Sequence, residues 1–333
     1  MTGTTAGSAA GSAAGATAGA TAGLRTGLRT GLDIGGSKID AVVLDAAGAV
    51  RARARIPTRT GADGVVGTAV EALQALAGRL GVPVSELGSV GVGVPGLVDP
   101  ERGVLVHAVN LGVGDEELDL ADRVGARCGL PVRVENDVNA AAFGAATCLG
   151  LLDVDLAYLS VGTGLAAGLV LGGRLRRGAR ATAGEIGHVP VDPAGPLCAC
   201  GQRGCLETVA SGAAIAAAWP VESDALPAAE ALFRAADAGD APAVAVRDRV
   251  ADHLAAAVRL LVLTVDVDLV VLGGGVADVG EPLRRAVAAA LARQAAGSAF
   301  LRALDLPERL ALVGPESVAA VGAAALGHLA ATS

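Results

Sequence analysis

One short stretch of this chain has the chemistry to close around a metal ion. Gly184-Glu185-Ile186-Gly187-His188 is followed by Cys198-Ala199-Cys200-Gly201-Gln202-Arg203-Gly204-Cys205-Leu206-Glu207. One imidazole and three thiolates make a complete tetrahedral set, the usual form of a structural Zn²⁺ site with no ligand position left for catalysis. The spacing is not that of a zinc finger, but Gly201 and Gly204 let the loop fold back so that three sulfurs converge. Glu185 and Glu207 flank the set, where their carboxylates can accept hydrogen bonds from sugar hydroxyls or simply be surface charges. The chain has 5 cysteines, an odd number clustered three to a loop, which suits metal ligation in a reducing compartment better than disulfides. Cys128 and Cys148 are expected to be buried small hydrophobes.

A second constellation is Glu135-Asn136-Asp137-Val138-Asn139, where an apolar strand runs into a helix. A carboxylate held at such a junction can take the proton of a substrate hydroxyl during phosphoryl transfer, a reaction in which the remaining catalysis is electrostatic clamping. The competing reading makes Asn136 or Asp137 the helix N-cap.

Three glycine-rich turns complete the inventory. Asp33-Ile34-Gly35-Gly36-Ser37-Lys38 joins two strands and contains the only lysine of the chain. Glycines there let backbone N–H groups approach a phosphate, and the flanking Asp33 can hold Mg²⁺ or its waters, although Gly-Gly is also an ordinary hairpin connection. Gly162-Thr163-Gly164 and Gly273-Gly274-Gly275 likewise follow apolar strands. Three turns at strand ends fit a nucleotide gripped at the carboxyl edge of open sheets better than one turn would. None of them is a P-loop.

The elements that must position these groups read as an α/β chain. GLDIGG, IDAVVLD and VRARARI form an antiparallel meander, and Val65, Val66, Ala69, Leu73, Leu76 and Leu80 recur at helical spacing over about 64–80. GSVGVGVPG reads as a buried strand, PVRVEND as a strand entering a helix near Val138. LAYLSVGTG and LAAGLVLGG read as a strand pair, 211–263 as mainly helical, DLVVLGGG as a short buried strand and 318–330 as an Ala-rich helix. The uncharged run from Leu156 to Gly173 is long enough for a membrane span, but its five glycines point to two strands and a polar turn.

A chain of 333 residues suits two lobes. Hydrophobic residues are 52% of it and aromatics only 2%, so the core is built from Ala, Val and Leu in many small packing positions. Residues 1–23 hold only Met, Thr, Gly, Ser and Ala and are expected to form a disordered tail. A net charge of −8 without a basic block removes the electrostatic footprint of a nucleic-acid binder. The N-terminus lacks a secretory pattern, which leads to a cytoplasmic expectation.

Taken in order, DIGGSK, VPG, Asn110-Leu111, ENDVNAAAFG, VGTG, GEIGHVPVD, CACGQRGCLE and VLGGGV resemble the ROK family of sugar kinases and related repressors, within the actin-like ATPase superfamily. The resemblance runs from about residue 30 to the C-terminus. It implies two actin-like (ribonuclease H-like) lobes with a nucleotide and sugar cleft: 24–134 with about 318–333, and 135–317 carrying the zinc loop. It implies ATP with Mg²⁺, a hexose or N-acylhexosamine acceptor, a homodimer, and structural Zn²⁺ on His188, Cys198, Cys200 and Cys205. By the same resemblance Asp137 is the base and Gly96, Asn110, Asn136, Glu185, His188 and Glu207 contact sugar. Asp33, Gly35, Gly36, Ser37, Lys38, Gly162, Thr163, Gly164, Gly273, Gly274 and Gly275 contact nucleotide. His188 would give one nitrogen to the metal and the other to a sugar hydroxyl. Gly112-Val113-Gly114-Asp115 replaces the aromatic residue that relatives often place after Asn110-Leu111, and Leu165-Ala166-Ala167-Gly168 is poorer in glycine than usual. The repressor branch carries an added helix-turn-helix, which the Gly/Ala/Thr/Ser-rich residues ahead of DIGGSK do not resemble.

Overall fold

The computed structural model describes residues 27–221, 226–314 and 317–332. The expected tail lies outside them. The chain divides into two compact units, one containing residues up to Ala140 together with those from Ala319 onward, the other Ala141–Val318.

The first unit holds β1 (Arg29–Ile34), β2 (Lys38–Leu44), β3 (Val50–Pro57), β4 (Ser89–Val94), β5 (Leu97–Asp99), β6 (Val104–Val106), β7 (Leu118–Asp119) and β8 (Val132–Asn136). Its main sheet has the order β3-β2-β1-β4-β8. The meander β1-β2-β3 is antiparallel, while β1, β4 and β8 run parallel. A small sheet β5-β6-β7, not foreseen in the sequence, is too short-stranded to show a period. Helix α1 (Ala62–Leu80) closes with Gly81 in the left-handed region, and α2 (Leu120–Cys128) closes the same way on Gly129. Both pack into one cluster with Leu32, Ile34, Val90, Val92 and Val94.

The strand period explains the sequence SVGVGV. Val90, Val92 and Val94 face that cluster, so Gly91 and Gly93 face the other side of the sheet. Helix α3 (Asp137–Leu149) begins against Gly93, whose ideal Cβ would lie 3.2 Å from Ala140 Cβ. Cys148, expected to be buried, is exposed in the last turn of α3, and Cys128 is only half-buried at the end of α2.

In the second unit β9 (Leu156–Val161) and β10 (Leu165–Leu171) pair antiparallel, so the uncharged run is a hairpin. Among the described residues no helix is long and apolar enough to cross a membrane. With β11 (Arg174–Leu175), β12 (Leu269–Gly273) and β13 (Leu310–Leu312) they form a sheet of order β11-β10-β9-β12-β13. Its first three strands are antiparallel, and β9, β12 and β13 run parallel. This is the arrangement of the first unit repeated. Helices α4 (Glu207–Ala210), α5 (Gly212–Ala218), α6 (Ala228–Asp237), α7 (Ala241–Val265), α8 (Glu281–Ala295) and α9 (Ala299–Ala303) follow. Asp240 caps α7 through the N–H of Ala243. Leu254, Val258, Leu261, Val287 and Leu291 of α7 and α8 share one core with Val270 and Leu272 of β12.

The last helix, α10 (Val318–Thr332), returns to the sheet of the first unit. Ala320 and Ala324 join Val42 and Leu44 in a small cluster. An ideal Cβ on Gly31 would lie 1.8 Å from Ala320 O, and one on Gly91 1.8 Å from Ala323 O. Gly31 and Gly91 are register partners in β1 and β4. The helix backbone therefore rests on the sheet backbone over a patch without side chains. Gly91→Ala is expected to destabilise the protein by about 2–3 kcal/mol, because a rigid carbonyl must move. Gly78→Ala in α1, where the new Cβ meets nothing within 4 Å, should be neutral or stabilising by up to about 1 kcal/mol. Denaturant melts of both variants check this, and equal effects would contradict the packing argument.

Candidate active site and metal centre

The carboxyl ends of the parallel strands carry the chemistry of the first unit. Asp33 sits near the end of β1, and Asn136 ends β8 with Asp137 opening α3. Asn136 Oδ1 accepts the N–H of Val138 at 3.0 Å and of Asn139 at 3.2 Å, so Asn136 is the side chain that caps α3. Asp137 Oδ1 accepts from the adjacent Val138 N–H at 2.9 Å. Of the two capping candidates, Asn136 bonds the deeper helical N–H. Buried Glu135 braces the junction, its Oε1 accepting from Asn136 N at 3.1 Å and Asn139 Nδ2 at 3.0 Å. Asn136 Nδ2 also reaches Gly96 O at 3.4 Å. Gly96 has φ 110°, and a Cβ there would strike Val106 O at 2.9 Å.

Asp33 has its carboxyl raised from 3.8 to about 7, first by burial and then by the like charges of Asp137 and Asp40, with Lys38 opposing weakly. Lys38 is committed elsewhere. Its Nζ lies 3.2 Å from Asp40, which Arg55 also holds. The turn Gly35–Ser37 closes through Gly35 N–H to Lys38 O at 2.9 Å. The turn joins β1 and β2 as a hairpin, at the same sheet edge as Asp33.

In the second unit two glycine turns and a helix start come together. Gly162 O accepts Gly212 N–H at 2.7 Å, and Thr163 O accepts Ala213 N–H at 3.3 Å. Ser211 caps α5 through Ala214 N–H. Gly274, with φ 78°, stands where a Cβ would lie 2.7 Å from Val161 C, and its N–H donates to Tyr158 Oη at 3.1 Å. Ser211, Gly212 and Tyr158 escaped the sequence reading. A Ser-Gly pair ahead of an Ala-rich run was the available signal for the first two. Tyr158 sits inside an apolar strand, where nothing local marks its hydroxyl.

The strap Gly184–His188 crosses β10 on its glycines. Cβ atoms at Gly184 and Gly187 would lie 1.8 Å from Ala167 O and 1.9 Å from Leu165 O. That crossing carries Glu185 and His188, with His188 Nε2 4.0 Å from Glu185 Oε2. Glu207 Oε2 accepts Leu165 N–H at 2.9 Å and fills the space beside Gly164.

The ligand atoms of His188, Cys198, Cys200 and Cys205 all lie within 4.8 Å of one another. His188 Nδ1 is 3.7 Å from Cys198 Sγ, and Cys200 Sγ is 3.6 Å from Cys205 Sγ. Tetrahedral Zn²⁺ with its usual bond lengths requires ligand separations of about 3.6–3.8 Å, so this donor set fits. Gln202 Nε2 donates to Cys200 Sγ at 3.4 Å and lowers that thiol, while burial raises Cys205.

The sequence profile of the ROK family matches residues 29–328, and the chain belongs to that family. It is 35% identical to the glucokinase of Halalkalibacterium halodurans, covering 80% of this chain and 88% of that one. It is also 35% identical to the N-acetylmannosamine kinase of Yersinia pseudotuberculosis, with coverages of 77% and 86%. The structure of a ROK family glucokinase from Streptomyces griseus in complex with glucose and AMPPNP superposes with a TM-score of 0.74 at 32% identity, covering 91% of this chain and 100% of that one. The fold is therefore the mixed α/β, actin-like ATPase fold of ROK sugar kinases.

The raised Asp33 yields a sign-definite prediction. Its folded-state value lies above its unfolded one, so its ionisation costs nothing below about pH 4. The cost grows as pH rises from 3.8 toward 7 and is complete above that. Asp33→Asn removes the cost. Without nucleotide and with chelator present, Asp33→Asn should melt above the parent at pH 8, and the gap should shrink at pH 5. A gap that is constant or reversed with pH would contradict the assignment.

Proposed function

We propose that this protein is an ATP-dependent hexose kinase of the glucokinase type. The acceptor hydroxyl oxygen forms a bond to the γ-phosphorus of ATP, the bond from that phosphorus to the ADP oxygen breaks, and the hydroxyl proton passes to Asp137. The observation that carries the reading is the pair of carboxylates in the first unit. Asp137 is held on a braced helix start, and Asp33 is pushed upward partly by the Asp137 charge. Like charges kept together in a folded site are stability spent on function.

By the family resemblance Gly96, Asn110, Asn136, Glu185, His188 and Glu207 are the sugar-contacting set. By the same resemblance Asp33, Gly35, Gly36, Ser37, Lys38, Gly162, Thr163, Gly164 and Gly273–Gly275 are the nucleotide-contacting set. Asp33 is the group to hold Mg²⁺, which would neutralise charge on the transferring phosphoryl. Zn²⁺ on His188, Cys198, Cys200 and Cys205 would be structural, fixing the tautomer of His188. A cytoplasmic homodimer acting on a sugar, without nucleic acid, completes the proposal. A second acceptor class, the N-acylhexosamines, is supported by the equal identity to an N-acetylmannosamine kinase. The stretch Gly112–Asp115, lacking an aromatic side chain, leaves the acceptor choice to a panel of sugars and donors in a coupled assay.

Two measurements test the proposal. Asp137→Asn keeps the size of the side chain and its capacity to accept Val138 N–H, but it cannot take a proton at neutral pH. Turnover should fall by about 10²–10⁴ while sugar affinity by calorimetry stays near that of the parent. Near-parental turnover would end the assignment of Asp137. Metal analysis should find about one zinc per chain, with Cys200→Ser lowering metal content and melting temperature together. Active protein free of zinc would overturn the metal assignment.

A further inference from the structure

The glycine turn at 35–37 and the loop bearing Asn110 are separate motifs in the sequence, yet they touch. An ideal Cβ on Gly36 would lie 2.9 Å from Asn110 O and 3.3 Å from Asn110 Cβ. The side-chain space of Gly36 is thus occupied by the backbone of Asn110, which a methyl group would displace. Gly36 is not among the residues with positive φ, so turn geometry alone does not require glycine there. The close approach does.

Both partners are held by a third segment. Thr58 Oγ1 donates to Gly35 O at 2.7 Å, and Thr58 N–H donates to Ser37 O at 3.0 Å. Three residues on, Gly61 N–H donates to Leu111 O at 2.7 Å, while an ideal Cβ on Gly112, at φ +68°, would lie 3.1 Å from Gly61 N. Arg59 anchors this segment on α1, with its N–H on Thr68 Oγ1 at 3.2 Å and its guanidinium forked onto Glu71 at 2.6 and 2.9 Å. The turn, the 58–61 segment and the Asn110 loop therefore close a ring of contacts inside the first unit. Asn110 itself lies exposed in the single turn Val109–Leu111, so its placement depends on these neighbours.

We infer that Gly36 is a positioning residue for the acceptor sugar: by yielding its side-chain space to Asn110, the phosphate turn sets where the Asn110 amide meets a sugar hydroxyl. The inference rests on the sugar-kinase reading above and adds that one backbone contact links the two ligand motifs. Any displacement of the turn is then felt at Asn110, and the converse holds by linkage.

The test is a double-mutant cycle on sugar binding without nucleotide, using the full chain and whichever hexose or N-acylhexosamine the parent phosphorylates in the panel assay. Gly36→Ala should weaken sugar affinity about tenfold, and Asn110→Ala should weaken it on its own. In the Asn110→Ala background, Gly36→Ala should then add little. A purely structural loss would lower affinity equally in both backgrounds, so additivity overturns the inference. So does a Gly36→Ala variant whose nucleotide-free sugar affinity stays within twofold of the parent while only nucleotide binding weakens; that result leaves the kinase reading standing. A parent that binds and phosphorylates no sugar removes the kinase reading and this inference with it. Should Gly36→Ala fail to fold, Thr58→Val runs the same cycle. It removes the hydroxyl that holds Gly35 and should weaken sugar binding several-fold, again only when Asn110 is present.

Discussion

Backbone resting directly on backbone, possible only where a Cβ is missing, is the constraint on which this architecture depends. Gly31 and Gly91 let α10 lie on the first sheet, and Gly184 and Gly187 let the strap carrying Glu185 and His188 cross β10. Gly274 sits against Val161, and Gly36 against Asn110. In each case the nearest atoms belong to the main chain, which cannot move aside as a flexible side chain can.

The second organising feature is the close gathering of carboxyl groups in one unit and of thiols in the other. Parallel strands β1, β4 and β8 bring their carboxyl ends to one edge, so Asp33 and Asp137 belong to one electrostatic neighbourhood, and Asp33 is raised as a result. In the second unit three sulfurs and an imidazole are drawn within 4.8 Å by a loop whose glycines allow it to double back.

The two sheets share one strand order and one pattern of parallel and antiparallel pairs, although the corresponding segments look different. β1 reads RTGLDI where β9 reads LAYLSV, and β2 reads KIDAVVL where β10 reads LAAGLVL. Strand order is a property of pairing between distant segments, and binary patterning carries little of it. In both units the turn after the first strand is a glycine turn, so glycines stand at equivalent points of the two sheets.

Much was legible locally. The apolar alternation of SVGVGV, the helical spacing of Val65 to Leu80, the hairpin in the uncharged run and the Cys/His spacing are all short-range patterns, and each follows from a period or a coordination number. The sequence by itself also placed the end of a strand and the start of a helix near Val138, with Asn136 or Asp137 as candidate caps. Which of them caps it was decided only by the tertiary structure, through the N–H groups of Val138 and Asn139. The same is true of Tyr158 on Gly274, of Glu207 on Leu165, of exposed Cys148, and of Gly36 beneath Asn110. These depend on where one segment lands on another, and the free energy that decides it comes from long-range burial and hydrogen bonding, which no window of neighbouring residues contains.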